Sequence, residues 1–431
     1  MWLLICGALT AYIKPDAHKT IKSTPGFRRA TRAGVLATGF LMLSGVAHAD
    51  DYSPFGITNA LNNTDIPGGV HLQFIGSETG SWESNPLLLV GNNTKSLWGS
   101  VTTPELSFTD KTPTSQLNAD VQLQENLFNQ STFDSTDLHG KFGAGEQMER
   151  WGAKAQIATD YDTTRTSELL PTGTGGSISN TPSRHLGLSF APEVDYNPTQ
   201  VDKIAMQGSL AVSQYDKNIF QNYATASFTP SITHNFDPLN AGIFQMTAQR
   251  FQSTSGPPVY VDTVGPSIGW LGTLRPDLSA KALVGIQTIR QYGSGAAQEP
   301  WTLQYTFSGD LTYKTQQDQM DFAFSRNDYP FGNGTETLLT TVGVTEIHNI
   351  NSSFAVNVGA SYETGSYQTK TAGNLDDLIS ANTGLTYHAT ERLDIAATYQ
   401  YRRETLINTN GNATDNTATL GLVWRPRPWN L

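Results

Sequence analysis

Residues 300–314 alternate between apolar and polar side chains, and this pattern limits the possible folds more than any other stretch. Successive side chains of a β-strand point to opposite faces, whereas the apolar residues of an amphipathic helix recur every third or fourth position. The pattern therefore predicts a strand, and its length exceeds the roughly 9–11 residues with which a tilted strand crosses a bilayer. One face carries Trp301, Leu303, Tyr305, Phe307, Gly309, Leu311 and Tyr313, and the other carries Thr302, Gln304, Thr306, Ser308, Asp310, Thr312 and Lys314.

The same alternation recurs from about residue 70 to residue 424 and predicts eighteen strands. The connections between them alternate in length, as in outer-membrane barrels with short periplasmic turns and longer outer loops. Residues 214–217 are an exception, because they predict a short connection on the outer side. The predicted fold is all-β, a transmembrane antiparallel up-and-down β-barrel of about 18 strands with both termini periplasmic. Sixteen strands remain the alternative if the weak early strands do not form.

Aromatic residues near the predicted strand ends favour a membrane barrel over a soluble β-sandwich, which also alternates. Interfacial girdles of Trp and Tyr flank the apolar band of such barrels. Closure is then required, because an open sheet edge would leave backbone groups unpaired in hydrocarbon. The girdle candidates are Tyr161, Tyr196, Trp270, Trp301, Tyr313, Tyr362, Tyr401 and Trp424.

The first 49 residues have the features of a leader that ends in a signal peptide. Arg28, Arg29 and Arg32 precede an apolar run at residues 33–46, and Ala47-His48-Ala49 supplies the small-residue cleavage pattern. The sequence therefore predicts a leader at 1–49, a periplasmic segment at 50–68 and an outer-membrane barrel at 69–431. The single cysteine, Cys6, lies in the leader, so the remaining chain forms no disulfide.

Charge and hydropathy exclude two classes of protein. The leader contains six basic residues and one acidic residue, so the net charge of −11 becomes −16 for residues 50–431. Nucleic acid is therefore not an expected partner. The chain lacks a second long apolar run, which excludes a helical membrane protein.

Four short motifs accompany this layout: Glu83-Ser84-Asn85-Pro86-Leu87, Glu125-Asn126-Leu127-Phe128, Arg275-Pro276-Asp277-Leu278 and Asp415-Asn416-Thr417-Ala418-Thr419-Leu420-Gly421-Leu422-Val423-Trp424. With these motifs the chain resembles outer-membrane β-barrel porins of the type encoded near exopolysaccharide genes in Gram-negative bacteria. The resemblance covers residues 69–431 and implies an uninterrupted barrel with a polar lumen in the outer membrane. The final residues, Trp429-Asn430-Leu431, differ from the terminal aromatic residue common in barrels.

If the apolar faces meet lipid, the polar faces line a lumen rich in Thr, Ser, Gln, Gly and Asn. Such a wall suits a channel for small hydrophilic solutes or secreted polysaccharide, and the negative net charge favours cations. The alternative is a non-conducting structural or docking barrel whose loops bind a glycan or an envelope partner. Residues 162–184 are the candidate constricting loop. The charged candidates for the lumen wall are Lys154, Asp160, Lys281, Asp310, Lys314, Asp321, Glu363, Asp394 and Arg402.

The sequence indicates no catalytic site and no cofactor. His185, Ser189 and Asp195 share one predicted strand face, but that face points away from lipid. The histidines are dispersed without metal-ligand spacing. The expected partners are outer-membrane lipid and lipopolysaccharide, the barrel-assembly machinery and a polysaccharide.

Overall fold

The computed structural model describes residues 69–89, 95–163, 183–218, 220–293, 299–330, 336–367, 374–406 and 411–430. The leader and the 50–68 segment lie outside these described residues. The described strands form one sheet. In chain order they are β1 Gly69–Glu83, β2 Leu97–Lys111, β3 Ser115–Phe128, β4 Ser135–Gln147, β5 Trp151–Thr163, β6 Arg184–Tyr196, β7 Asp202–Tyr215, β8 Tyr223–Asp237, β9 Asn240–Ser253, β10 Tyr260–Arg275, β11 Leu278–Tyr292, β12 Thr302–Lys314, β13 Asp318–Pro330, β14 Glu336–Asn351, β15 Phe354–Tyr367, β16 Asn374–Thr390, β17 Leu393–Leu406, β18 Gly411–Trp424 and β19 Trp429–Asn430.

The sheet closes into a barrel of eighteen long antiparallel strands. Each strand pairs with the next, and β1 pairs with both β2 and β18. The closing ladder runs from Gly76 opposite Trp424 to Glu83 opposite Thr417. The two-residue strand β19 adds a second contact, with Trp429 opposite Leu72. The prediction of eighteen strands is confirmed, and β19 is an addition that the sequence pattern did not reveal.

Short and long connections fall at opposite ends of the barrel. We call the end with the short connections the turn end, and the opposite end the loop end. Side chains close the short turns: Asp237 accepts a hydrogen bond from the amide of Leu239 (2.7 Å), and Thr315 Oγ1 accepts one from the amide of Asp318 (2.9 Å). Asx and Ser/Thr side chains stabilise tight turns in this way. The strand bounds confirm the predicted alternation in connection length.

One predicted connection is longer than expected. The sequence pattern placed Phe220 at the start of a strand, which left only residues 214–217 between two strands. In the structure β8 begins at Tyr223, and Phe220 stacks on Tyr215 with ring centroids 5.0 Å apart. The apolar alternation in the sequence includes Phe220, although this residue lies three positions before the strand begins.

The outward face of the barrel is apolar over most of its height. On β12, Leu303 and Tyr305 are 54% and 67% exposed, and on β18 Leu420 is 62% exposed. A closed antiparallel barrel with such an exterior is the architecture of outer-membrane proteins, since closure lets the backbone groups of the strands pair with one another without water. The chain is an outer-membrane β-barrel. Among the described residues, no helix is long and apolar enough to span a membrane.

Candidate functional site: the barrel lumen

The inward face is defined by the residues that alternate with the exposed apolar side chains. On β12 these are polar, and Asp310 is exposed although it lies on the inward face. Its cross-strand partner on β11 is Lys281, which is also exposed. Because these side chains point away from the lipid-facing surface, their exposure places water inside this part of the barrel.

An uncharged polar wall spans β8 and β9. Thr229 and Thr247 face each other across the two strands, with their Oγ1 atoms 3.3 Å apart. The surrounding inward residues carry hydroxyl or amide groups and are half-buried. They are Thr225, Ser227, Ser231, Gln245 and Gln249. This wall offers donors and acceptors without a fixed charge.

The strands β4 to β6 place paired charges on the inward face. Asp160 Oδ1 lies 2.8 Å from His139 Nδ1, and Lys154 Nζ lies 3.0 Å from a carboxylate oxygen of Glu193. Lys154 is about half exposed, whereas Glu193 is largely covered. The predicted lumen residues Lys154 and Asp160 are therefore each paired with a residue of a neighbouring strand. This pairing reduces the electric field that each one contributes to the lumen.

A second group of predicted residues lies on β11 to β13, near the turn end. Asp321 accepts hydrogen bonds from Thr312 Oγ1 (2.7 Å) and Gln319 Nε2 (2.9 Å). Lys314 is exposed at the end of β12, on the face that also carries Asp310. The structure therefore brings Lys281, Asp310, Lys314 and Asp321 onto one region of the inward face.

The last three predicted lumen residues face inward; Asp394 and Arg402 are buried, and Glu363 is half-buried. Asp394 pairs with His388 Nδ1 (2.7 Å) and with Arg425, and Glu363 has one buried carboxylate oxygen without a hydrogen-bond partner among the described residues. Arg402 is 4% exposed. These side chains are part of a packed region of the wall rather than of a water-exposed surface.

Arg402 belongs to a buried polar cluster at the seam where the barrel closes. Its guanidinium donates to Asp415 (2.7 Å), and Thr417 Oγ1 donates to the same carboxylate oxygen (3.0 Å). The other oxygen accepts from the backbone amide of Asn85 (2.7 Å) and from Ser84 Oγ (3.2 Å). A fully buried carboxylate needs such partners, because an unpaired buried charge is costly. The motifs at 83–87 and 415–424, far apart in sequence, are thereby joined.

A second cluster of the same composition lies at the loop end of β3 and β4. Asn126 Nδ2 donates to Asp137 (2.9 Å), Ser135 Oγ donates to the same oxygen (3.1 Å), and Arg184 forms an ion pair with the other (2.8 Å). Asp137 is fully buried. The motif at 125–128 thus supplies its asparagine to an Asn–Asp–Arg cluster, as the motif at 83–87 does.

The segment that follows β1 lies against the inward face at the loop end. Leu88 has a φ of 48°, in the left-handed region, and is buried with Leu378 of β16 and Ala413 of β18. Asn85 closes the segment by donating to the carbonyl of Leu89 (3.0 Å) and accepting from its amide (3.0 Å). Such a segment narrows the lumen at this end.

An aromatic and aliphatic cluster covers another part of the inward face at the loop end. Phe251 is completely buried between Val261 and Ile289, and Tyr223 packs against it with ring centroids 5.4 Å apart. Ser253 Oγ donates to Gln221 (3.0 Å), which ties the connection before β8 to this cluster. The candidate constricting loop at 162–184, by contrast, lies mostly outside the described residues.

The predicted girdle residues all lie on the outward face. Tyr196, Trp270, Tyr313 and Trp424 are near the turn end, and the remaining four lie toward the loop end. Trp270 Nε1 donates to Asn240 Oδ1 (3.2 Å) beside a turn. At the other end, the guanidinium carbon of Arg184 lies 4.1 Å from the ring centre of Tyr161.

The histidine on β6 is not arranged for catalysis with the serine and aspartate of that strand. His185 Nδ1 pairs with Asp162 at 3.0 Å, and Asp195 pairs with Lys203 at 3.5 Å. In the part of the chain that the structure describes, no three His, Cys, Asp or Glu residues are grouped to hold a metal ion.

Comparisons with known proteins were made for the sequence and for the structure. No protein-family model and no curated protein matches the sequence. Among solved structures the chain is similar to the outer membrane protein OpdK of Pseudomonas aeruginosa, at 9% identity over 83% of this chain and 99% of that chain, with a TM-score of 0.44. It is also similar to OccAB4 of Acinetobacter baumannii, at 9% identity over 85% and 100%, with a TM-score of 0.44. A structure of OccK2 (OpdF) of Pseudomonas aeruginosa in complex with glucuronate matches at 7% identity over 84% and 100%, with a TM-score of 0.45.

Sequence reasoning missed the buried clusters and the aromatic cluster. Asp137 and Asp415 carry no sign in the sequence that they are buried, since each lies on a polar strand face. The one available signal was the asparagine in each motif, Asn85 and Asn126, near a predicted strand end. The partner of Asn85 could not be found from the sequence, because it is Asp415, which lies more than 300 residues away.

Proposed function

We propose that this chain forms a channel across the outer membrane for small hydrophilic solutes, with the turn end in the periplasm. The observation that carries the proposal is the exposure of Lys281 and Asp310 on the inward face. A barrel packed throughout would bury these side chains, because charged residues are rarely buried away from partners and water. An eighteen-strand barrel is also wide enough for an aqueous channel.

The chemistry of the wall favours uncharged, hydroxylated solutes. The Thr, Ser and Gln side chains of β8 and β9 can exchange hydrogen bonds with a passing solute, and the charged pairs on β4 to β6 leave that wall unaffected. The segment holding Leu88 and the cluster around Phe251 narrow the loop end, which supports an upper size limit. We therefore infer passage of small sugars and similar solutes, with a secreted polysaccharide as the more demanding possibility.

The same narrowing favours a second candidate function. If the covered inward residues at the loop end meet across the lumen, the barrel is closed to solutes and its loops serve to bind a glycan or an envelope partner. The one buried carboxylate oxygen of Glu363 and the buried Leu88 are the observations that support this alternative.

A vesicle-swelling assay tests the channel. Residues 50–431 are refolded into vesicles loaded with an impermeant polymer, and swelling is followed in isotonic sugars of increasing size. We expect swelling with small sugars and a size cut-off. The Asn85→Ala variant removes the side-chain bonds that close the 84–89 segment and should swell faster, whereas Asn118→Ala, an inward asparagine near the turn end, should not. Folded protein that gives no swelling with any sugar would favour the closed barrel.

A further inference from the structure

Charged and aromatic residues are grouped on the outward face of β9, β10 and β11, near the loop end. Each lies an even number of residues from an exposed apolar side chain of its own strand, which is Met246, Ile268 or Ile286. Even spacing on a strand keeps side chains on one face. We call this group the outer cluster. Its members are Arg250, Tyr260, Asp262, Arg290 and Tyr292.

The strand register arranges the outer cluster in two rows. Arg250 of β9 and Arg290 of β11 are each opposite Asp262 of β10. One row nearer the loop end, Tyr292 is opposite Tyr260, and the two rings stack with centroids 5.2 Å apart. Two arginines and one aspartate give the cluster a net charge of +1.

The cluster lies where the apolar exterior ends. The next outward row toward the turn end contains Ala248, Val264 and Thr288, and beyond it lie the exposed Met246 and Ile286. A charge on the lipid face of a membrane barrel is costly at the midplane and costs little near the interface, where tyrosines are also enriched. The outer cluster is therefore at the level of the lipid head groups.

Asp262 is neutralised by one of the two arginines. Arg250 Nε donates to Asp262 Oδ1 (2.6 Å), and Arg250 Nη2 donates to Oδ2 (2.9 Å). This is the bidentate geometry that guanidinium and carboxylate groups favour. The Tyr292 hydroxyl donates a further hydrogen bond to Oδ2 (3.1 Å). Both carboxylate oxygens of Asp262 therefore have partners.

The other arginine keeps its charge uncompensated. Although Arg290 lies opposite Asp262, its guanidinium forms no ion pair or hydrogen bond with any residue in the described ranges. Its guanidinium carbon lies 5.5 Å from the ring centre of Tyr292, within the range of a cation–π contact. The adjoining connections, residues 254–259 and 293–298, contain no acidic residue. Arg290 is thus a partly exposed cation at the membrane surface.

The geometry and the depth of Arg290 select its anion. A guanidinium binds a phosphate group through two parallel N–H···O bonds. At the head-group level, the phosphates of membrane lipids are the anions that meet the protein surface. We propose that the outer cluster binds the phosphate of an anionic membrane lipid through Arg290, with the acyl chains along Val264 and Ile286.

Arg250 has an indirect part in this site, because its bidentate bond keeps Asp262 from pairing with Arg290. The site is on the exterior of the barrel and goes beyond the proposed channel. It does not depend on whether the lumen conducts solutes, so the two proposals fail separately.

Native mass spectrometry of residues 50–431, refolded in a non-ionic detergent, tests the site with phosphatidic acid as the probe. We expect tighter binding of phosphatidic acid than of phosphatidylcholine, whose choline group neutralises the phosphate. Arg290→Gln should weaken the binding of phosphatidic acid about tenfold, and Arg290→Lys should restore part of it.

Arg275→Gln is the matched control. The guanidinium carbon of Arg275 lies 5.9 Å from the ring centre of the girdle residue Tyr313, at the turn end, but this arginine is paired with Asp277 (3.2 Å). Its replacement should leave the binding of phosphatidic acid unchanged. Equal losses in Arg290→Gln and Arg275→Gln would overturn the proposal, because any exposed arginine beside a tyrosine would then suffice.

Two further variants test the pairing around Asp262. Asp262→Asn removes the negative charge of the cluster and should tighten the binding of phosphatidic acid. Arg250→Gln leaves Arg290 as the one arginine opposite Asp262 and should weaken it. A purely structural role of the cluster would not produce tighter binding in Asp262→Asn. Unchanged binding in both variants would contradict the site.

Glycerol 3-phosphate separates a lipid from a soluble source of phosphate, because it carries the phosphate without acyl chains. The lipid site predicts that a large excess of glycerol 3-phosphate does not displace phosphatidic acid. Displacement at concentrations equal to that of the lipid would assign the site to a soluble phosphate compound and would overturn the lipid proposal.

A crosslink locates the bound lipid. Benzoylphenylalanine replaces Trp301, an exposed residue two positions from Leu303, which is the partner of Thr288 on β11. The control carries the same group at Trp82, an exposed tryptophan near the loop end of β1. We expect photolabelling by phosphatidic acid at position 301 to fall in Arg290→Gln and labelling at position 82 to stay the same. Labelling at position 301 that Arg290→Gln does not change would overturn the proposal.

Discussion

The backbone amide of Asn85 donates a hydrogen bond to the buried carboxylate of Asp415 across the seam that closes the barrel (2.7 Å). Beside it, the amide of Ser84 donates to the carbonyl of Asn416 (2.9 Å). The first long connection is thereby attached to the last long strand. Closure of the sheet at the loop end and the position of the 84–89 segment therefore depend on the same carboxylate.

Replacement of that carboxylate should destabilise the barrel strongly. In Asp415→Asn, Arg402 loses its charged partner while it remains buried, and breaking such a pair costs about 3–5 kcal/mol. Urea titration of the protein refolded in lipid vesicles measures this change in the free energy of unfolding. Asp310→Asn, on the exposed inward face, should change it by less than about 0.5 kcal/mol. Equal effects of the two substitutions would show that burial of Asp415 is not important for stability.

Removal of both charges should cost less than removal of one. In the double variant Asp415→Leu with Arg402→Met, neither charge remains to be desolvated, and replacement of a buried ion pair by apolar residues is often close to neutral. The double variant should therefore unfold at a higher urea concentration than Asp415→Asn. Strictly additive losses from the two positions would contradict the coupling that the 2.7 Å contact implies.

Adjacent residues on β9 should respond in opposite ways to the same new charge. Met246 is 45% exposed on the outward face near the middle of the strand, and its neighbour Gln245 faces inward. Met246→Arg should cost about 2–4 kcal/mol, as for Arg at the midplane of a membrane barrel. Gln245→Arg should cost much less, because its guanidinium meets the lumen. Similar losses in the free energy of unfolding for the two variants, measured in vesicles, would contradict this assignment of the lumen and lipid faces.

The strand count and the faces could be predicted from the sequence because both follow from local periodicity. Residues 300–314 gave β12 to within two residues, since one face of that strand meets lipid and the other does not. Alternation in connection length gave the antiparallel order. These features repeat with every hairpin, so errors at single strands did not propagate.

The buried clusters could not be predicted, because they depend on contacts between distant strands. Nothing near Asp415 in the sequence indicates Asn85, and the alternation predicts Arg402 on the lumen wall rather than in a buried cluster.

The net negative charge of the protein should make the channel select cations. The inward face carries Lys281 and Lys314 beside Asp310 and Asp321, but residues 50–431 have a net charge of −16, and a channel in a negatively charged protein concentrates cations. In a potassium chloride gradient the reversal potential should therefore have the sign for potassium. Asp310→Lys should move it toward zero, whereas Asp110→Lys, outside the lumen at the turn end, should not. An anion-directed potential for the unmodified chain would contradict this expectation.

Single-channel recording tests the central claim most directly. Residues 50–431 are refolded, checked for a heat-dependent shift in gel mobility, and inserted into a planar bilayer in simple salt. The channel account predicts discrete, long-lived conductance steps, and larger steps for Asn85→Ala than for Asn118→Ala. Inserted, folded protein that carries no current in either variant would contradict the account and favour a closed docking barrel.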